Sequence, residues 1–361
     1  MDIKVRKDKV MAGTAVGCTI ITLLLVTVMA FYMGNRTITY ANIGQLMQDD
    51  KSFSEKIERL TNEPLTDLPM SEKTVKSSII VPVTDTITAD QLLLNVDLMK
   101  RDITLFVNGI TAQYYLENPI ILDQYAIGKV EYACLDDTLK LVFHTNDIYE
   151  CEINKEYGYL TISLTKPEDI YSYIVAVDIG HGDSDTGECV NNIQEKEVLL
   201  NVAKALKELH FPENIGIYFT RMSDINLTDE ERLKFITDIG ADALISIHLS
   251  ESEDTNQFGL NAYYNANYYS QGFQCVDYAD TMIRNTAMTT LNRANGLYAA
   301  DADSLISKVT IKATELELGY ITNLKEASLL NDSEYQKKLA LGIYNGIMEA
   351  YQIMKASEEV K

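Results

Sequence analysis

The sequence predicts an α/β fold: a mainly parallel sheet with helices on both faces, preceded by a small all-β domain and an N-terminal transmembrane helix. Three observations predict it. Strand and helix patterns alternate through residues 174–354, which implies a largely parallel sheet covered on both sides. Residues 79–166 instead alternate apolar and polar side chains between turn residues, the mark of half-buried strands. No charged residue occurs from Val10 to Asn35, in a chain that is 23% charged.

The elements follow in chain order. Residues 1–9 carry Lys4, Arg6, Lys7 and Lys9 and read as a cytoplasmic tail. Residues 10–35 are long enough to cross a bilayer, which takes roughly 20 apolar residues. The positive charges in front of them place the N-terminus in the cytoplasm and the rest of the chain outside, as a single-pass protein of the cell membrane. A cleaved signal peptide is the competing reading. The uncleaved anchor is preferred because the run exceeds a signal core and no Ala-x-Ala site follows. Residues 36–78 are polar, contain Pro64 and Pro69, and show weak helical periodicity at Ile43, Leu46, Phe53, Ile57 and Leu60. They read as a stalk or linker.

Residues 79–166 hold strand patterns at 103–107, 129–133, 139–144, 149–153 and 159–164, with turn residues such as Asn108-Gly109 and Asp136-Asp137 between them. No catalytic constellation appears there, and His144 reads as a structural histidine. Residues 170–356 form the α/β domain. Its strands are predicted at 174–178, 217–220, 243–248, 260–264 and 313–318, and its helices at about 195–209, 229–238, 272–291 and 333–354. Thr228 with Glu231, and Ser333 with Gln336, fit capping boxes. Residues 271–302 read as a pocket wall or plug.

Composition narrows the function classes. The 361 residues carry a net charge of −22. A chain this acidic excludes nucleic acid as the main partner, because phosphate binding needs a basic face. The five cysteines form no C-x-x-C pair and suggest no cysteine metal site. Cys134 and Cys151 lie in neighbouring predicted strands, where they could pair or stand as buried thiols; free thiols are preferred.

The chemistry gathers at strand ends. Val175–Ile179 runs into Gly180-His181-Gly182, and Ala243–Ile247 runs into His248. In a parallel sheet this brings two of the chain's four histidines to one edge, where ligands collect. Neutral imidazoles suit zinc, and a catalytic zinc site takes three protein ligands, His₂Glu being one known set. Glu195 opens the next helix and points back at that edge. It equally fits the third position of a capping box begun by Asn192, so both readings stand. His210 reads as a cation near a helix C-terminus. In 313–318, Glu315 and Glu317 share one face, and spacing alone does not choose between them as a base near a metal-bound water.

From Ile174 to Gln352 the chain resembles the zinc-dependent N-acetylmuramoyl-L-alanine amidase family, the type 3 catalytic domain. The pieces are Val177-Asp178-Ile179-Gly180-His181-Gly182 with Asp185 and Gly187, then Glu195-Lys196, Thr220-Arg221 with Asp224, and Leu227 with Arg232. They continue with Ser246-Ile247-His248, Gly259 with Tyr263-Tyr264, and Leu316–Asn323 followed by Glu326 and Leu330. The resemblance implies an amidase/phosphorylase-like fold. It implies His181, Glu195 and His248 as ligands of Zn²⁺, Glu317 rather than Glu315 as the catalytic carboxylate, and peptidoglycan as substrate, cut between the lactyl group of N-acetylmuramic acid and L-alanine. The β module is similar, at pattern level, to the AMIN-type domains that place such amidases at the cell wall. Asp183 stands where the family has glycine, Ser250 where it has asparagine, and Ser307–Lys312 lacks the family's arginine and proline. The alternative is therefore a wall-binding or regulatory protein that keeps the amidase fold and cuts poorly. A regulatory protein partner is left open.

Overall fold

The computed structural model describes residues 51–190 and 193–358. The expected tail, the expected membrane helix and the front of the expected stalk lie outside the described residues. Among the described residues, no helix is long and apolar enough to cross a membrane. The chain forms two units. One runs to Asp97 and adds Asp102–Asn146 and Cys151–Leu164; the other takes Leu98–Arg101, Asp147–Glu150 and everything from Thr165.

The first unit is antiparallel. Its elements are α1 (Lys51–Thr61), β1 (Thr66–Asp67), β2 (Ser78–Pro82), β3 (Leu92–Asp97), β4 (Asp102–Asn108), α2 (Ala112–Glu117), β5 (Ile121–Leu122), β6 (Ile127–Leu135), β7 (Thr138–Thr145), β8 (Glu150–Glu156) and β9 (Tyr159–Thr165). They make two sheets, in the orders β1-β6-β7-β4-β3 and β5-β2-β9-β8. The stalk expectation needs correcting over 51–78. Phe53 and Leu60, on one face of α1, are buried against Phe106 and Ala133, so α1 belongs to the unit's core. Cys134 is an exposed free thiol, so it does not pair with Cys151, which is buried.

The second unit continues with α3 (Pro167–Ile170), β10 (Tyr173–Ile179), β11 (Cys189–Val190), β12 (Ile193–Gln194), α4 (Glu195–Lys207), β13 (Ile215–Phe219), α5 (Asp229–Asp238), β14 (Ala243–Ser250), β15 (Leu260–Tyr264), α6 (Cys275–Thr290), β16 (Ala294–Ala299), β17 (Lys312–Tyr320), α7 (Leu324–Leu330) and α8 (Ser333–Glu358). The main sheet has the order β13-β10-β14-β17-β15-β16. β10, β13, β14 and β17 pair in parallel, while β15 pairs with β17 antiparallel. The short elements α3, β11 and β12, the edge strand β16 and the helix α7 are additions to the predicted set. Residues 271–302 are not a plug: after α6 they supply the edge strand β16, parallel to β15. α7 follows β17, capped by the Asn323 side chain.

The chain leaves β10 through α4 to β13 on one side, then returns through α5 to β14 on the other. Such a reversal opens a crevice at the carboxyl ends of β10 and β14. Strand alternation decides what lines it. Val175, Val177 and Ile179 point into a core shared with α4, α6 and α8. Burying each such side chain contributes about 1.5–3 kcal/mol. The opposite face starts apolar, with Ile174, Ala176, Leu244 and Ala313 under Phe235 and Ile236 of α5. Two residues further along each strand it turns polar, at Asp178, Ser246 and Glu315. That polar end is where the site forms.

Of the two predicted capping boxes, one forms and one does not. Thr228 and Glu231 do make a reciprocal capping box. At α8, however, Asp332 is the cap: its carboxylate accepts the Tyr335 N–H at 2.9 Å, while the Gln336 amide donates to the Leu330 carbonyl. Aspartate is the stronger acceptor and sits one residue earlier, which displaces the Ser333 box.

Candidate metal centre

The first loop of the site is held by backbone shape and by two arginines. His181 lies in the left-handed region at φ 62°, uncommon for a non-glycine residue. Gly182 follows at φ 141°, and a Cβ there would come within 1.9 Å of the Ile225 carbonyl, so only glycine fits. Asp183, where the resemblance expects glycine, is also left-handed at φ 49°. Its N–H donates to Asp224 at 2.7 Å, and its carbonyl accepts from Lys196 at 2.7 Å. Arg221 donates to the Gly180 carbonyl at 2.8 Å and Arg232 to the His181 carbonyl at 3.2 Å. Arg232 also pairs with buried Asp178 at 2.6 Å. Thr220 and Ser246 complete the hydrogen bonds of that carboxylate, so its buried charge is compensated.

Glu195 is the first residue of α4, preceded by Gln194 as N-cap. The capping-box reading of Glu195 therefore fails: the residue stands two positions too early in the helix. Its carboxylate turns toward the strand ends instead. Oε1 accepts the Leu249 N–H at 2.8 Å and Oε2 the Glu188 N–H at 3.0 Å. His181 Nε2 is 3.2 Å from Oε2, and His248 Nδ1 is 3.2 Å from Oε1. One donor atom from each of His181, Glu195 and His248 lies within 4.8 Å of the others, so these three could hold a metal ion. Asp185 takes the other nitrogen of His181 at 2.9 Å, the usual means of fixing a ligand's tautomer and ring angle.

Two glycines make room for the trio. A Cβ on Gly180 would lie 2.2 Å from His248 Cε1, and one on Gly187 would lie 2.6 Å from both Glu195 Oε2 and His181 Cδ2. The electrostatics favour a cation. Burial pushes the Glu195 carboxyl up, but hydrogen bonds from His181, His248 and the Glu188 N–H hold it well below the usual range. Burial pulls His248 down, yet the Glu195 hydrogen bond and the charges of Glu315, Glu195 and Asp178 carry it up to about 9. His181 rises in the same way, through Glu195 and Asp185 against its burial. The imidazole side chains keep 22% and 25% exposure against 3% for Glu195, so the histidines face the crevice while the carboxylate closes its floor.

The two carboxylates of β17 part company here. Glu317 pairs in register with His248, and Glu315 with Ser246, one step deeper. Burial pushes the Glu315 carboxyl up, away from ionisation. Glu317 accepts hydrogen bonds from Ser250 and Asn261. Asn261 escaped sequence reasoning because it reaches Glu317 only through the antiparallel pairing of β15 with β17. His210 follows the end of α4 and His144 lies in β7, outside the trio. Lys308 pairs with Asp229 at 2.8 Å.

Residues 175–349 match the family model described as N-acetylmuramoyl-L-alanine amidase. The germination-specific N-acetylmuramoyl-L-alanine amidase of Bacillus subtilis (strain 168) is 29% identical over 194 residues, covering 49% of this chain and 79% of that protein. The uncharacterized protein YqiI of the same strain is 30% identical over 184 residues, covering 51% of this chain and 87% of that protein. The catalytic domain of CwlV, an N-acetylmuramoyl-L-alanine amidase from Bacillus (Paenibacillus) polymyxa var. colistinus, is 27% identical with a TM-score of 0.46, over 50% of this chain and 99% of that one. Through residues 175–349, the chain belongs to the N-acetylmuramoyl-L-alanine amidase family.

Proposed function

We propose that the α/β unit hydrolyses peptidoglycan at the amide between the N-acetylmuramic acid lactyl group and L-alanine, with Zn²⁺ as cofactor. His181, Glu195 and His248 would hold the ion; two imidazoles and one carboxylate are a donor set that zinc accepts. When bound, zinc polarises the scissile carbonyl and lowers the pKa of water. The other tasks fall to side chains. Asp185 orients His181 through Nδ1. Arg221 and Arg232 hold the carbonyls of the Gly180–His181 turn. Glu317 stands beside His248 and transfers a proton from the attacking water to the leaving nitrogen. One observation carries this reading: the His248–Glu317 register sets a carboxylate next to a converging His–Glu–His trio.

The test is to load the intact chain with zinc and add purified peptidoglycan. Free L-alanine amino ends should accumulate, and metal-loaded protein that releases none would sink the reading. From residues 1–35 we also place the chain at the membrane, anchored once with the α/β unit outside, and the β unit as a wall-targeting module. Protease added to intact cells should then remove the α/β unit; full protection would contradict this placement.

A further inference from the structure

The two oxygens of the Glu317 carboxylate are not equivalent. Oε2 accepts a hydrogen bond from Ser250 Oγ and a second from Asn261 Nδ2 at 2.8 Å. Among the described residues, none donates to Oε1. Asn261 Nδ2 also lies 3.0 Å from Ser250 Oγ and 3.0 Å from Tyr320 Oη, which ties the donors to each other and to the end of the same strand. Ser250 and Asn261 are 3% and 5% exposed, so water does not compete for them. Their placement follows from the sheet. Asn261 stands opposite Glu317 on β15. On the other side, the β14–β17 register slips between His248 and Ser250, so that His248 pairs with Glu317 and Ser250 with Tyr320. With this slip, Ser250 reaches the Glu317 carboxylate although it pairs with Tyr320.

We infer that Ser250 and Asn261 are positioning residues that pin Glu317 through Oε2 and leave Oε1 as the oxygen that carries the proton. This rests on the amidase reading above. Oε2 already spends its lone pairs on two buried donors, and protonating it would break one of those bonds. Oε1 takes the proton as the O–H bond of the attacking water breaks. It returns the proton to the alanine nitrogen as the C–N bond breaks, which restores the carboxylate. Ser250 thus has a task of its own at a position where the family resemblance expects asparagine.

The test compares the intact wild-type chain with Ser250→Ala, Asn261→Ala, the double variant, Ser250→Thr and Asn261→Asp. Each alanine variant should lose at least ~10-fold in kcat with KM within about twofold, since misplacing a catalytic group costs turnover before binding. Metal content should not change. Ser250→Thr, which keeps the hydroxyl, should recover part of the loss of Ser250→Ala. Asn261→Asp should be worse than Asn261→Ala, because it sets a second carboxylate against Oε2. A double variant within about threefold of wild-type kcat, or a loss confined to KM, would overturn the inference. If wild-type protein releases no alanine ends, the amidase reading fails on its own, and crystal structures of wild type and double variant decide the clamp. A displaced Glu317 carboxylate in the double variant supports it; an unmoved one overturns it.

Discussion

Each unit has a cluster in which imidazole meets carboxylate, and the two clusters do opposite things. In the first unit His144 bridges Asp102 through Nδ1 and Glu131 through Nε2, both at 2.7 Å. The three residues sit on the neighbouring strands β4, β7 and β6, so the imidazole ties the sheet together and each nitrogen is used up. In the second unit the residues come from a turn, a helix start and a strand end, and their donor atoms converge within 4.8 Å. Side chains that pair across a sheet satisfy one another. Side chains delivered from different directions to one point also pair, here at 3.2 Å, but their donor atoms surround a common position that an ion could take. Residue types are nearly the same in both places; geometry makes one a staple and the other a candidate metal centre.

Substitutions can break that contrast, in descending order of effect. Glu195→Ala removes the carboxylate that both site imidazoles face. It should abolish zinc retention and, with it, amidase activity, read as metal per chain after gel filtration. Glu317→Gln should keep the metal and lower kcat by about 10²–10⁴, the range of general acid–base catalysis. Loss of metal in this variant would place Glu317 among the ligands instead. Asp185→Ala should weaken zinc affinity by about 10–100-fold in a chelator competition, with the ligands themselves intact. His144→Gln should leave metal binding and turnover alone and cost about 1 kcal/mol in denaturant unfolding, since it gives up half-buried, paired hydrogen bonds. An activity loss there would mean that the two clusters are not separate.

Much of the second unit is legible in sequence, for a local reason. His181 and His248 end apolar β runs, and strand alternation with a parallel sheet brings such ends together without knowledge of the packing. Glu195 is legible as a helix opener, but not its position in that helix, because cap chemistry competes over one or two residues. The same competition moved the cap of α8 from Ser333 to Asp332. The edge strand β16 was hidden because its pairing with β15, more than thirty residues earlier, is what makes it a strand. The choice between Glu315 and Glu317 could not come from parity, since both face the same way. What distinguishes Glu317 in the fold is its hydrogen bond from Asn261, more than fifty residues distant, and the register slip after His248. In the first unit, burial of Phe53 and Leu60 turned part of an expected stalk into core, again a contact between segments far apart.

The central claim is that His181, Glu195 and His248 form a metal site. Its most direct test is metal analysis of the intact chain, loaded with zinc and passed through gel filtration, beside a His181→Ala control. The account predicts about one zinc per wild-type chain, the stoichiometry of a mononuclear site, and none in the variant. A wild-type chain that emerges without zinc, or a variant that keeps it, would contradict the account.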